Sequence, residues 1–137
     1  MIMTTQMSSI NLEEIMKFIE ADLRWPLVVD PGRRTGKTEA ALQIASRCAN
    51  NKCLPALYVA PNRTECRRLE QRCKSDSPEN KKVIFITYSN LEKNLRGRLF
   101  SIIIFDEPGI PIRYGAASLV ARIIREKGCP AVIFGDV

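Results

Sequence analysis

The run Pro31-Gly32-Arg33-Arg34-Thr35-Gly36-Lys37-Thr38 sets glycine, lysine and a hydroxyl side by side. At the start of a helix such a run suits phosphate. Backbone N–H groups and the helix N-terminus cradle the oxygens, the lysine reaches the β- and γ-phosphates, and the threonine hydroxyl ligates Mg2+. Gly36, Lys37 and Thr38 are the primary candidates, with Gly32, Thr35 and Glu39 completing the lining. The pattern G-x-x-x-x-G-K-[ST] has glycine where Pro31 stands, and the glycine here comes one residue later. About 70 residues beyond the lysine, Ile102-Ile103-Ile104-Phe105 runs into Asp106-Glu107. At the carboxyl end of a buried strand one acid can hold Mg2+, directly or through water, and the next can polarise an attacking water. Asp106 is the expected metal residue and Glu107 the expected general base. Either cluster alone could be a surface turn or a solvated strand end; together they predict Mg2+-dependent hydrolysis of a nucleoside triphosphate.

The rest of the composition narrows the chemistry by exclusion. The chain has 137 residues and no histidine, which removes Ser-His-Asp and Cys-His catalysis and every imidazole base. Catalysis must run on carboxylates, lysine, arginine or a metal. The five cysteines (Cys48, Cys53, Cys66, Cys73, Cys129) are odd in number, and no secretion signal opens the chain, which argues for reduced thiols. Their spacings match no tight zinc knuckle. Apolar runs such as Trp25 to Val29 fall far short of the roughly 20 residues of a spanning helix, so no membrane partner is expected. The expected compartment is the cytoplasm, or the host cytoplasm if the chain is viral.

The net charge of +6 is uneven. Residues 1–30 carry two basic and five acidic side chains, residues 31–98 fifteen and six, and residues 99–137 four and four. The excess therefore lies in the middle, densest at Arg63, Arg67, Arg68, Arg72 and Lys74. On a helix the i,i+4 pairs 63/67 and 68/72 would form a cationic face suited to phosphate, or a solvated face eased by Glu65 and Glu70.

The elements that must position these residues follow from periodicity. Ile10 to Leu23 reads as an amphipathic helix stopped by Pro26. Leu27-Val28-Val29 reads as a short buried strand, followed by the Gly/Arg turn and a helix over 37–49. Further strands are expected at 56–60, 83–87, 101–105 and 131–134, and further helices at 63–74, 89–95 (capped by Ser89 or Asn90) and 116–127, the last stopped by Gly128. Apolar strands alternating with helices predict an α/β domain: three layers, with a parallel sheet of about five strands covered on both faces. One domain over 1–137 is expected, with a helical segment 1–24 and a nucleotide-binding core 25–137.

With these stations in order, residues 27–137 resemble the additional-strand, RecA-like P-loop ATPases, in particular the ATPase domain of phage large terminases and superfamily 1 and 2 helicases. Arg33-Arg34-Thr35-Gly36-Lys37-Thr38 looks like the arginine-bearing terminase loop, and Leu95-Arg96-Gly97 like the tripeptide that often precedes the terminase acidic strand. Tyr58-Val59-Ala60-Pro61-Asn62-Arg63 is similar to helicase motif Ia, Ile86-Thr87-Tyr88-Ser89 stands at motif Ib, and Phe134-Gly135-Asp136 resembles motif III. The resemblance implies a cis arginine finger at Arg33 or Arg34, nucleic-acid contacts at Asn62, Arg63, Arg67, Arg68 and Thr87, and a γ-phosphate sensor at Gly135 and Asp136.

The function expected is a nucleic-acid-dependent Mg2+-ATPase motor domain of the packaging or translocation type, acting on DNA rather than RNA. A superfamily 1 helicase motor lobe, or a solitary nucleotide-binding module without efficient turnover, are the alternatives. A small-molecule kinase fits the loop but not Asp-Glu closing an interior strand. A helicase needs a second motor lobe and a packaging terminase a nuclease, for which 137 residues leave no room. The missing part, or a homo-oligomer, would supply residues in trans. No glutamine stands where it would read adenine.

Overall fold

The structure, a computed structural model, describes residues 3–21, 24–32, 36–76, 82–108, 112 and 115–135. The order of elements is β1 (Thr5–Met7), α1 (Leu12–Glu20), β2 (Leu27–Val29), α2 (Lys37–Lys52), β3 (Ala56–Ala60), α3 (Arg63–Asp76), β4 (Val83–Thr87), a 3-10 turn (Tyr88–Asn90) leading into α4 (Leu91–Leu95), β5 (Ile102–Asp106), α5 (Ala116–Lys127) and β6 (Ala131–Phe134). The protein is α/β, with one sheet in the order β1-β2-β6-β5-β3-β4 and every pairing parallel.

The strands of the sheet's interior are apolar apart from the Tyr58 hydroxyl and the terminal Asp106, because both faces are covered. Leu27, Val29, Ala56, Tyr58, Ile102, Ile104, Val132 and Phe134 pack with α1, α2 and α3. Val28, Leu57, Val59, Ile103, Phe105, Ala131 and Ile133 pack with α4 and α5. This division follows from handedness. From β1 to β4 the chain advances across the sheet in one direction, and from β4 through β5 to β6 it returns, so right-handed crossovers lay the first three helices on one face and the last two on the other. The returning strand β6 lies between β2 and β5.

Among the described residues the sheet has six strands, where about five were expected from the sequence. The additional one is β1, within the segment expected to be only helical. Thr5-Gln6-Met7 is short and polar, and it is strand because the outer edge of β2 offers a ladder: Thr5 aligns with Leu27 and Met7 with Val29, Asp30 N–H donates to Met7 O at 3.0 Å, and Trp25 Nε1–H donates to Thr5 Oγ1 at 2.7 Å. Helix α1 begins at Leu12 rather than at the expected residue 10, because Asn11 caps it: its Oδ1 accepts from Glu14 N–H at 3.2 Å; residues 22 and 23 of the expected span lie outside the described residues. Neither Ser89 nor Asn90 serves as the expected side-chain cap of a helix over 89–95; a 3-10 turn occupies 88–90, and Asn90 makes no capping bond to α4. Helices α2 and α3 run two to three residues past their expected ends. Among the described residues, no helix is long and apolar enough to cross a membrane.

Candidate functional site

In an open parallel sheet, ligands bind outside the carboxyl ends of the strands, where neighbouring connections leave towards opposite faces. Here the connection after β2 leads to α2 on one face and that after β5 to α5 on the other, with β6 between. Two strand spacings, roughly 10 Å, separate β2 from β5. Side chains from both ends meet across that gap.

Gly36 opens α2 in the left-handed region (φ 77°) with no side-chain cap. The first N–H groups of α2 have no preceding carbonyl within the helix, and the positive end of its dipole points outwards. Lys37 is the first residue of α2, and its Nζ contacts Glu107 Oε1 in an ion pair that is three-quarters withdrawn from solvent. Thr38 follows on the same turn, half-buried.

Glu107 sits just beyond β5 at φ 46°, a conformation uncommon outside glycine. Its N–H donates to Phe134 O at 2.8 Å, and the next residue of that segment, Gly135, donates its N–H to Val29 O at 2.9 Å. The ends of β5, β6 and β2 are thereby laced together. Gly135 has φ 112°, and a Cβ there would lie 2.4 Å from Glu107 Oε2. The Glu107 carboxylate lies where a Cβ at Gly135 would stand, and the φ of Gly135 strains any side chain there.

Asp106, the last residue of β5, is 8% exposed. Tyr58 OH donates to its Oδ2 at 2.9 Å, and Tyr88 OH donates to its backbone O at 3.0 Å. Burial pushes the Asp106 carboxyl above its usual range, opposed by the Tyr58 hydroxyl and then by the charge of Lys37. Burial, reinforced by Asp106, pushes both tyrosine hydroxyls well above their ordinary value, so both remain donors. Asp106 and Glu107 are therefore neighbours in sequence with different surroundings, one committed to phenols and the other to an ammonium.

Lys37, Thr38, Asp106 and Glu107 come together at this edge with Gly36 and Gly135. Gly32 is described, with φ 91°; Arg33, Arg34, Thr35 and Asp136 lie outside the described residues. Glu39 is turned elsewhere, its carboxylate paired with Arg72 of α3.

The residues expected at nucleic acid have mixed environments. Asn62 caps α3, its Oδ1 accepting from Glu65 N–H at 2.9 Å and its O from Cys66 N–H at 3.0 Å. Arg68 is held in a fork by Glu65, Nε to Oε1 at 3.2 Å and Nη2 to Oε2 at 2.7 Å. Lys74 pairs with Glu70 at 3.2 Å. Arg63 and Arg67, exposed, line a surface hollow of about 290 Å3 with Thr64. Thr87 is buried, its Oγ1 2.9 Å from Ser89 Oγ.

Sequence reasoning missed Tyr58 and Tyr88 as partners of Asp106. The signal available was a phenol in the otherwise apolar run Ala56–Ala60, since a buried hydroxyl needs a partner. The Lys37 ammonium at the open N-terminus of a helix can bind an anion, and the Glu107 carboxylate beside it can accept a proton from a neighbouring water. No protein-family model matches the chain, and no curated protein matches it.

Proposed function

We propose that the protein is a Mg2+-dependent ATPase motor domain acting on nucleic acid, of the terminase-like packaging or translocation type. One observation carries the reading: Lys37, at the start of the helix after the glycine loop, meets Glu107 across the inserted strand, beside the buried Asp106.

The residues fit a Mg2+-nucleotide. The Thr38 hydroxyl and the Asp106 carboxylate are hard oxygen donors of the kind Mg2+ takes, and Asp106 has Oδ1 to offer while Oδ2 is engaged by Tyr58. Bound there, the ion would neutralise the charge of the β- and γ-phosphates. The N–H groups of Gly36 and the first turn of α2 would hold the phosphate oxygens, with Lys37 reaching the β- and γ-phosphates. In the resting chain Lys37 and Glu107 satisfy each other. A phosphate that takes the ammonium leaves Glu107 free to accept the proton of the water attacking the γ-phosphorus, as the bond to the β-phosphate oxygen breaks. Arg33 or Arg34 would stabilise the developing charge and Asp136 would sense the γ-phosphate. The exposed Arg63 and Arg67 would meet a nucleic-acid backbone, DNA by the terminase resemblance, and a partner lobe, nuclease or second copy would complete the motor.

The test is Mg2+-dependent ATP hydrolysis at low salt, with and without DNA or RNA, for the wild type and Glu107→Gln. The expected result is turnover that nucleic acid stimulates and that Glu107→Gln lowers by about 10^2–10^4-fold, with ATP binding retained. Tight binding without turnover under any condition would replace the motor with a nucleotide-binding module, and absence of ATP binding would sink both.

A further inference from the structure

Tyr58 stands apart from the rest of its strand. Every other residue of Ala56–Ala60 is aliphatic, and Tyr58 is as completely buried as they are. A phenylalanine would fill the same space without a polar atom to satisfy. In the β3–β5 register Tyr58 lies beside Ile104, so Asp106 is two positions further along the neighbouring strand on the same face, a step of roughly 6.6 Å that a tyrosine side chain spans. The ring is braced by Phe85 of β4, with centroids 5.4 Å apart, so the hydroxyl has one direction to donate, into Asp106 Oδ2 at 2.9 Å. Tyr88 is braced by Phe105 at 6.3 Å and reaches the same residue, but at its main-chain oxygen. Of the two phenols, only Tyr58 touches the group that would meet a cation.

We propose that Tyr58 is the positioning residue of Asp106, its hydroxyl occupying Oδ2 and fixing the carboxylate so that Oδ1 alone is presented to a divalent cation. The inference rests on the Mg2+-nucleotide reading above and adds to it the residue that sets how Asp106 receives the ion. Partners that orient a metal-binding group change metal affinity by about 10–100-fold when removed. Tyr88, acting on the backbone, steadies the end of β5 without aiming the carboxylate.

The experiment is ADP binding by calorimetry in EDTA and in saturating Mn2+, for the wild type, Tyr58→Phe and Tyr88→Phe. The readout is the factor by which Mn2+ tightens ADP binding. In the wild type Mn2+ tightens it; in Tyr58→Phe that factor falls about tenfold while the EDTA affinity is unchanged, and in Tyr88→Phe it stays within about threefold. A Tyr58→Phe protein with the wild-type factor overturns the proposal and leaves the nucleotide site standing. Equal weakening in EDTA and Mn2+ also overturns it, because that is the mark of a packing defect. A wild type that binds no ADP refutes the nucleotide reading itself, and the proposal with it. A second measurement needs no substitution at 58. The chain has three tyrosines, so 3-fluorotyrosine labelling gives three 19F resonances, two of them assigned through Tyr88→Phe and Tyr114→Phe. The Tyr58 line is expected to move on adding Mg2+ to the ADP complex, and a line that stays fixed overturns the proposal.

Discussion

The carboxyl edge of β2, β6 and β5 and the basic face of α3 each gather charge, but they are built differently. At the strand edge, charged groups are withdrawn from water and held through the backbone: Glu107 N–H on Phe134 O, Gly135 N–H on Val29 O, and the Glu107 carboxylate lodged where Gly135 lacks a side chain. On α3 the charges ride on long exposed side chains, and acids one helical turn away quiet two of them, Arg68 and Lys74. In the first region backbone hydrogen bonds fix the residues that carry the charge. Under the proposed function, the second would adapt its arginines to an irregular polyanion and would bind in proportion to how many phosphates it neutralises. Rigid placement suits chemistry and loose charge suits grip.

The sharpest way to break the contrast is Gly135→Ala. A side chain at φ 112° is strained whatever the space, so the change should destabilise the fold by about 2 kcal/mol, roughly 30-fold in the folding equilibrium, and its Cβ should push the Glu107 carboxylate off Lys37. Urea unfolding checks the first effect. An unchanged midpoint would mean that the edge is as yielding as the helix face. On α3, the double change Arg63→Ala and Arg67→Ala should weaken nucleic-acid binding about tenfold at low salt and reduce the slope of log K against log salt by about 2. Arg68→Ala, removing a guanidinium already held by Glu65, should leave the slope nearly unchanged. Equal effects of all three arginines in a salt titration would erase the distinction between free and neutralised charge.

The smallest effect concerns the cost of the rigid edge. The folded-state carboxyl of Asp106 titrates above its ordinary value, chiefly through burial. The unfolded chain therefore releases this proton more readily, and the group's contribution to stability, full at low pH, is lost as pH rises through the folded-state value. Asp106→Asn, which keeps an oxygen for Tyr58, should raise stability near neutral pH by about 1 kcal/mol, or about 4 °C in Tm. The gain should shrink as the pH falls to where the wild-type carboxyl protonates. Melting curves across that range give the sign directly.

How far all this could be read from the sequence depends on whether a signal is local. Five strands announce themselves as apolar runs, and Gly128 ends α5 as a glycine should, at φ 64°. β1 does not, since three polar-flanked residues become strand only against an edge supplied by residues 27–29. Lys37, Asp106 and Glu107 stand in recognisable company. Tyr58 was illegible as a partner of Asp106 because 48 residues separate them and only the register of β3 on β5 joins them. The i,i+4 spacing of the arginines outlined a face, but Arg72 finds Glu39 on another helix, which no spacing within α3 could disclose. Asn62, expected from the sequence at nucleic acid, instead caps α3, a role that its place before Arg63 did not announce.

The late position of β6 in the chain has a consequence for synthesis. β2 and β5 are not paired to each other; each is paired to β6, which follows the other strands of this sheet in the chain. As the polypeptide emerges amino end first, β1 can join β2 and β3 can join β4 and β5, giving two part-sheets that share no ladder. Only when Ala131–Phe134 arrives can they be zipped into one. Such distant parallel pairing is slow, and until it is complete Lys37 and Glu107 belong to separate halves. Until β6 has paired with both β2 and β5, the Lys37–Glu107 contact has no frame to hold it.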